Sequence, residues 1–444
     1  MKLLSKKLNY VDISRKLQRI NLSSLGQIFF LIGIIFLASA LPISLIFLLI
    51  SIVISFKENK KNFLWNKWNI ALLVTSIFMI LSSFLRLIFP IQSELSYLAK
   101  NSWIDIMNWI PLFVSFHSFQ FYLKTSTQRI LCCKALIIST IPVIFSCISQ
   151  YWFKVYGPFS TFFGLITWYQ KPFENAQSGV EGLFSNPNYT GYWLSTILPL
   201  SLYFLLKNKS KKYNSFFISI ITLLILYFLI NTSSRNALIS ISFSTLLVFC
   251  SKVLFIKLLF LITIVLLIVT LNPTIAAKSY EFLKVFLPIK LLDKFILFSK
   301  LDILSLHRLD VYKNALYFIF RNPLFGWGAS TFGALYLLKS GMSPAGHTHN
   351  LILEIAYNYG IVSSLIITLF IFNLFFITLT YLKKDKFNKI LFIDKIWLTS
   401  AISSIIFHMS DFPYYDGKIS ILFWLLLAGI NSINNEYKNI IFSK

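Results

Sequence analysis

The run LGQIFFLIGIIFLASALPISLIFLLISIVISF, residues 25–56, decides the fold of this chain. It contains no charged residue, and as one helix it would be about 48 Å long at about 1.5 Å per residue, against a bilayer hydrocarbon core of about 30 Å. Pro42 lies near its middle and favours a break there. We therefore predict two membrane-spanning helices in this run rather than one.

The remainder of the chain has the same apolar character. Of the 444 residues 57% are hydrophobic, and the mean hydropathy is +0.72. Uncharged runs of about 20 residues recur, and backbone exposed to lipid must satisfy its own hydrogen bonds, so we predict an all-α polytopic membrane protein of about 12 transmembrane helices. Beyond the first two, the predicted spans lie near residues 68–90, 102–123, 130–149, 189–206, 214–231, 235–250, 253–271, 351–381, 391–409 and 418–433.

The charged connections predict how these spans are oriented. Alternate connections are basic, and basic connections stay in the cytoplasm, so both termini are predicted to be cytoplasmic. A single span over residues 25–56 would place all these basic connections outside, which is a second argument for the break. The net charge of +25 therefore reflects topology, and no nucleic-acid partner is predicted. The basic connections are residues 57–67, 124–129, 207–213, 251–257 and 382–390.

Three regions follow from this topology. Residues 1–271 form an N-terminal bundle of about nine spans, residues 272–350 a large outward loop, and residues 351–444 about three C-terminal spans. Within the loop, residues 279–300 and 309–321 are predicted to be amphipathic helices, the second one ended by the Asn-Pro pair that follows it. The loop has more basic than acidic residues, against the trend for outward loops, which indicates an anionic ligand.

Two histidines stand one residue apart in the tract His347-Thr348-His349-Asn350. Polar groups are costly to place near lipid and usually mark function there. Imidazoles titrate near neutral pH, so either ring could take a proton from an attacking hydroxyl. A metal site would need further ligands, and only Glu354 follows closely, so no metal is predicted. The alternative is a loop in which both histidines are merely hydrogen-bonded.

Two arginines are candidate phosphate ligands. Arg235 is predicted at the outer end of a span and Arg308 in the large loop. A guanidinium group offers planar paired donors that match phosphate oxygens, although an arginine near the bilayer surface can also extend to lipid headgroups. The chain has no nucleotide-binding glycine loop and no cofactor motif, so a substrate that carries its own activated leaving group is favoured.

Four tracts occur in an order that resembles the O-antigen ligase and polymerase superfamily of bacterial envelope glycosyltransferases. That superfamily has about ten to twelve spans and one large periplasmic loop, a GT-C-like architecture, in agreement with the topology inferred above. Asn236 is a departure, because the superfamily usually has a small residue after the arginine. The tracts are Asn186-Pro187-Asn188, Ser234-Arg235-Asn236-Ala237-Leu238, Arg308 with Asn322-Pro323-Leu324-Phe325-Gly326-Trp327-Gly328, and His349-Asn350-Leu351-Ile352-Leu353-Glu354 with Tyr359-Gly360.

The resemblance implies metal-independent, inverting transfer of a glycan from an undecaprenyl-diphosphate carrier to a sugar hydroxyl. The reaction would take place at the periplasmic face of the bacterial inner membrane, without a cofactor. The matching positions supply a base, ligands for the diphosphate and supporting residues. By this resemblance the base would be His349, with His347 as the second candidate. The ligands of the diphosphate would be Arg235 and Arg308. The supporting residues would be Asn350, Glu354 and Asn188.

Several functions remain open within and outside this superfamily. We predict a ligase that uses lipid A core as its acceptor, and a polymerase that extends a growing polysaccharide or a transferase acting on protein are the alternatives. They differ in acceptor rather than in chemistry. A transporter of a small anion such as bicarbonate is the alternative from another class, with Arg86, Asp105 and Lys134 in the pathway, but the sequence lacks the internal repeat typical of transporters.

Overall fold

The structure is a computed structural model that describes residues 23–58, 66–89, 99–168, 170–172, 179–207, 212–250, 303–341, 346–384 and 391–442, with residues 254, 257, 281, 282 and 284. Helices dominate it. In chain order they are α1 (Ser23–Phe36), α2 (Leu41–Glu58), α3 (Lys67–Ile88), α4 (Ala99–Ile106), α5 (Ile110–Phe121), α6 (Ser126–Tyr151), α7 (Pro187–Lys207), α8 (Lys212–Asn231), α9 (Arg235–Phe249), α10 (Ile303–Arg321), α11 (Phe332–Ser340), α12 (Leu351–Tyr359), α13 (Ile361–Lys384), α14 (Phe392–Ser410) and α15 (Gly417–Phe442).

Short elements complete the described part of the chain. Strands β1 (Phe159–Thr161) and β2 (Ile166–Trp168) pair antiparallel, with Ser160 opposite Thr167. Two short 3-10 helices, Gly182–Phe184 and Pro413–Tyr415, precede α7 and α15.

Within the described part of the chain, five helices are long and apolar enough to cross a membrane, namely α2, α3, α6, α13 and α15, and α1, α8 and α9 contain shorter apolar helices. The prediction of an all-α membrane protein is therefore confirmed. The number of twelve spans stays a prediction, because the span expected at 253–271 lies outside the described residues apart from two isolated positions. The amphipathic helix expected at 279–300 also lies outside them, apart from three isolated positions.

The run at residues 25–56 is divided, as its length predicts. The break falls at residues 37–40, earlier than expected, and Pro42 lies in the first turn of α2. A proline is accommodated there because the amide of that position has no partner within the helix. The Ser139 hydroxyl accepts a hydrogen bond from the Ala38 amide (3.1 Å) and thus satisfies one backbone group of the break.

Two other predicted spans are also broken, in contrast to the continuous helices expected. The span at 102–123 consists of α4 and α5, separated by the turn at 107–109, and the span at 351–381 consists of α12 and α13, separated at Gly360. A helix covers the residues of the amphipathic helix predicted at 309–321: α10 begins earlier, at Ile303, and ends at Arg321 as expected, while its amphipathic character stays a prediction.

The break at Gly360 is compensated by the Gly-Trp-Gly loop. The amides of Trp327 and Gly328 donate to the carbonyl oxygens of Tyr357 (2.7 Å) and Asn358 (3.0 Å), which end α12. A side chain on Gly360 would place its Cβ 2.0 Å from the Leu324 oxygen, and φ there is +90°, so only glycine fits. Irregular backbone among membrane helices is stable where protein groups satisfy it in this way.

The helices whose ends carry the polar residues described below pack against one another. Helix α14 packs against α7, α9 and α15, and α5 packs against α15, around the fully buried Trp193, Trp397 and Trp424. At one end of this bundle the buried Arg129 of α6 contacts Asp394 of α14 (2.8 Å) and Glu436 of α15 (2.5 Å). These contacts hold three helices together at the end of α14 that is opposite to Asp411.

Candidate active site

The His347-Thr348-His349 segment, called here the His-Thr-His loop, lies beside a buried carboxylate. His349 Nδ1 is 3.0 Å from Oδ1 of Asp411, the residue that follows α14. Asp411 is only 4% exposed. The backbone of His349 is left-handed, with φ of +54°, a strained conformation for a residue with a side chain. The loop therefore holds the imidazole in one specific position.

Further hydrogen bonds keep Asp411 ionised and oriented. Its Oδ2 accepts from Asn188 Nδ2 (2.9 Å), and its Oδ1 accepts from the Phe412 amide (2.9 Å). Burial alone would raise the pKa of Asp411, but the bond from His349, the Phe412 amide and the charge of Arg308 outweigh it and lower that pKa. A carboxylate at Nδ1 favours the tautomer with a proton on that nitrogen, which leaves the lone pair on Nε2.

His347 stands next to His349, with ring centroids 4.3 Å apart. Its Nδ1 accepts a hydrogen bond from the His349 amide (3.3 Å), so this nitrogen is engaged in holding the loop. Burial lowers the pKa of His347, with the nearby charge of His349 acting in the same direction and Glu354 and Asp411 acting against it. A neutral His347 suits the acceptor role that this hydrogen bond requires.

Asn350 connects the loop to two helices. Its side-chain oxygen accepts from the amides of Ile352 (3.0 Å) and Leu353 (3.1 Å), which caps the N-terminus of α12. Its amide group donates to the Met409 carbonyl oxygen (2.8 Å) near the end of α14. The residue after His349 therefore ties its helix to the helix that precedes Asp411.

Glu354 fixes the loop from the other side. It is 2% exposed, and its Oε2 accepts from both the amide (2.8 Å) and the hydroxyl (2.9 Å) of Thr348. Its Oε1 accepts from the Tyr415 hydroxyl (2.9 Å) and from the Asn358 amide (3.2 Å). Four donors around one buried carboxylate satisfy its hydrogen-bonding capacity and restrain the backbone between the two histidines.

The two arginines belong to the same site. Arg235 is the first residue of α9, Arg308 lies near the start of α10, and both are half-buried. The charge of Arg308 acts on Arg235 and also on Asp411. Guanidinium groups offer paired donors that match phosphate oxygens, so the two arginines are candidate ligands for an anion.

Close helix packing brings Arg235 to this position. A Cβ on Gly191 of α7 would lie 2.8 Å from the Ser234 Cβ and 3.1 Å from the Ala237 Cβ, so α7 and α9 approach more closely than a side chain would allow. Both helices therefore begin at the same place, one with Asn188 in its first turn and the other with Arg235.

Comparison with known families adds one finding. Residues 220–368 match the model of the Wzy_C family, described as O-antigen ligase. This region, about a third of the chain, is similar to the O-antigen ligase family. The superfamily resemblance inferred from the sequence is thereby confirmed. No match was found among curated proteins.

The match extends from within α8 to within α13 and so includes both arginines and the His-Thr-His loop. Members act as glycosyltransferase-like enzymes in O-antigen biosynthesis. Among the described residues, no cluster of three or more His, Cys, Asp or Glu side chains is arranged to hold a metal ion.

Sequence reasoning overlooked the residue that pairs with His349. Asp411 is not among the site residues predicted from the sequence. The relevant signal was available, because a carboxylate directly at the outer end of an apolar span is expected to be buried only with a partner. Each of the seven residues predicted from sequence lies in this site, joined by direct contacts or, for the arginines, by their charges.

Two residues that a transporter would use as a pathway have other partners. Arg86 donates to the Gly326 carbonyl oxygen, and Asp105 accepts from the Tyr359 hydroxyl (2.6 Å) and the Asn108 amide (3.0 Å). Lys134 is exposed on α6. These contacts account for Arg86 and Asp105 as residues that join helices, so the structure lends the transport alternative no support.

Proposed function

We propose that this protein transfers a glycan from an undecaprenyl-diphosphate carrier to a sugar hydroxyl at the periplasmic face of the bacterial inner membrane. The observation that carries the proposal is the Asp411–His349 pair beside Arg235 and Arg308. It combines a base with cationic groups, which are the two functions that such a transfer requires.

In the proposed reaction His349 Nε2 removes the proton from the acceptor hydroxyl. The hydroxyl oxygen then forms a bond to the anomeric carbon of the donor, on the face opposite the leaving group, so the configuration inverts. The bond from that carbon to the diphosphate oxygen breaks, and undecaprenyl diphosphate leaves. Arg235 and Arg308 stabilise the charge that develops on the diphosphate, so no metal ion is needed for this purpose.

An apolar groove beside the site supports a lipid-linked donor. A cavity of about 320 Å³ runs between α9, α12, α13 and α14 and is lined almost entirely by aliphatic and aromatic side chains. Its lining includes Leu351 and Met409, which are adjacent to or bonded to Asn350 of the site. A polyprenyl chain in this groove would keep its diphosphate near the two arginines, at the boundary between lipid and water.

The test is transfer of glycan from a purified undecaprenyl-diphosphate oligosaccharide by the protein in liposomes, with and without a chelator. We expect chelator-resistant product from the wild type, loss of product with His349→Ala, and normal product with His117→Gln, a buried histidine that pairs with Asn69 elsewhere. Product formation by His349→Ala at the wild-type rate would contradict the assignment of the base.

The acceptor distinguishes ligase from polymerase, and we favour a ligase that uses lipid A core. Deletion of the gene should then leave long glycan chains on the carrier. Accumulation of single repeat units would instead identify a polymerase that uses a growing polysaccharide as acceptor.

A further inference from the structure

A second cavity borders the His-Thr-His loop. Its volume is about 380 Å³, and it lies between α4, α11, α12 and the 3-10 helix at Pro413–Tyr415. Its lining includes Gly346, which directly precedes the loop, and Glu354, which is hydrogen-bonded to Thr348 of the loop, whereas His349, Asp411 and the two arginines do not line it. It is therefore distinct from the apolar groove and from the cationic part of the site, although it borders the same loop.

The lining of this cavity is anionic. Asp105 and Glu354 both contribute to it, and the charge of Glu354 acts on Asp105. No lysine, arginine or histidine occurs among the described residues that line it. Two carboxylates without a lining cation disfavour a phosphate or diphosphate, because like charges repel strongly in a partly desolvated site.

The same lining suits a neutral saccharide. Asp105 accepts from Tyr359 and Asn108, one bond on each oxygen, so each carboxylate oxygen retains a lone pair for a further donor. Asn101 adds an amide that both donates and accepts, and Phe332 adds an apolar ring face. Hydroxyl groups can donate to carboxylates and accept from amides, whereas a lipid chain would leave these polar groups unpaired.

We propose that this cavity binds the acceptor sugar as an uncharged ring and presents its hydroxyl to the His-Thr-His loop. The inference rests on the proposed function and adds to it a specific acceptor site. The loop then separates two substrates by charge: the diphosphate donor lies on the side with the arginines, and the hydroxyl-bearing acceptor lies on the side with the carboxylates. The acceptor residue is accordingly expected to carry no phosphate beside its reacting hydroxyl.

The first test fills the cavity. Asn101→Trp places a large ring in it, and Met107→Trp, in the turn after the same helix and 65% exposed without lining the cavity, is the matched control. With purified protein in liposomes, we expect Asn101→Trp to raise the acceptor KM about tenfold or more while the donor KM stays unchanged, since only acceptor contacts are lost. The control should leave both constants as they are. An unchanged acceptor KM for Asn101→Trp would overturn the inference.

The second test changes charge with little change in shape. Two acceptors are compared, one unphosphorylated and one phosphorylated beside the reacting hydroxyl. The wild type should have a much higher kcat/KM for the unphosphorylated acceptor, and the ratio of the two values should be at least about fivefold lower for Asp105→Asn. An equal ratio in the two proteins would count against the anionic cavity. Failure of the wild type to use any saccharide would instead reject the proposed function, whereas normal transfer by all these variants would reject only the acceptor site.

Discussion

Replacing Asp411 with asparagine tests the proposed mechanism most directly. The change keeps the size of the side chain but removes the charge that lies 3.0 Å from His349 Nδ1. A hydrogen bond to a charged group is worth about 1.5–3 kcal/mol, which corresponds to about a 10- to 150-fold change in rate if it is lost in the transition state. The true effect should be larger, because an amide can donate to Nδ1 and so favour the tautomer with its proton on Nε2, where the base needs a lone pair.

A general base commonly contributes about 10²- to 10⁴-fold, so we expect kcat of Asp411→Asn to fall within that range. The donor KM should change little, because Asp411 would contact His349 and not the diphosphate. The assay is steady-state transfer from undecaprenyl-diphosphate oligosaccharide in liposomes, at saturating acceptor, with the melting temperature measured on the same preparations.

Asp416→Asn is the matched control for this experiment. Asp416 is a second, half-buried carboxylate in the same connection, and its Oδ1 accepts a hydrogen bond from the backbone amide of Lys418 (2.9 Å). We expect its substitution to reduce kcat less than about tenfold. A wild-type rate for Asp411→Asn, or an equal loss in both variants at equal stability, would refute the role of the Asp411–His349 pair.

Three further predictions concern other parts of the protein. Arg235→Ala and Arg308→Ala should each lower kcat about 10²- to 10³-fold in the same transfer assay, with a combined effect smaller than the product of the two, because both would stabilise one diphosphate. Burial lowers the pKa of His347 below its ordinary value of 6.5, so the unfolded state binds this proton at a higher pH than the folded state does. The free energy of unfolding should therefore be undiminished above pH 6.5 and decrease as the pH falls below it. His347→Gln should flatten this decrease in melting temperatures measured from pH 8 to pH 5. Arg129→Ala should lower the free energy of unfolding by about 3–5 kcal/mol, because it removes the partner that lies 2.8 Å from the buried Asp394 carboxylate. Adding Asp394→Asn to this variant should recover part of the loss, as measured by denaturation.

The sequence was sufficient for the class of fold because apolar length is a local property. Residues 25–56 are too long for one span, and the break in the structure follows directly from that limit. The breaks at 107–109 and at Gly360 could not be read in the same way, since the run of hydropathy continues through each of them. The second one depends on amides supplied by Trp327 and Gly328, each 30 residues before the carbonyl group that it bonds, and hydropathy contains no information about such partners.

The candidate site shows the same division between local and distant information. His349, Asn350 and Glu354 stand close together in sequence, and their roles as neighbours could be inferred from the motif. Asp411 comes from a different helix end, separated from His349 by α12, α13 and α14. Its partnership becomes visible only when α14 and α7 are packed together and Asn188 is placed on its other oxygen.

Glu354 gives the two substrate sides a common support. Its Oε2 holds the Thr348 backbone and hydroxyl between the two histidines, while its Oε1 receives the hydroxyl of Tyr415, which lines the anionic cavity. A sugar that binds in the cavity and draws Tyr415 away from Glu354 would weaken one of the four bonds on this carboxylate, and the bonds to Thr348 would strengthen in return. Glu354→Gln should therefore impair acceptor use and the rate of the chemical step together. A raised acceptor KM in Glu354→Gln with kcat intact would show that the cavity and the His-Thr-His loop act independently.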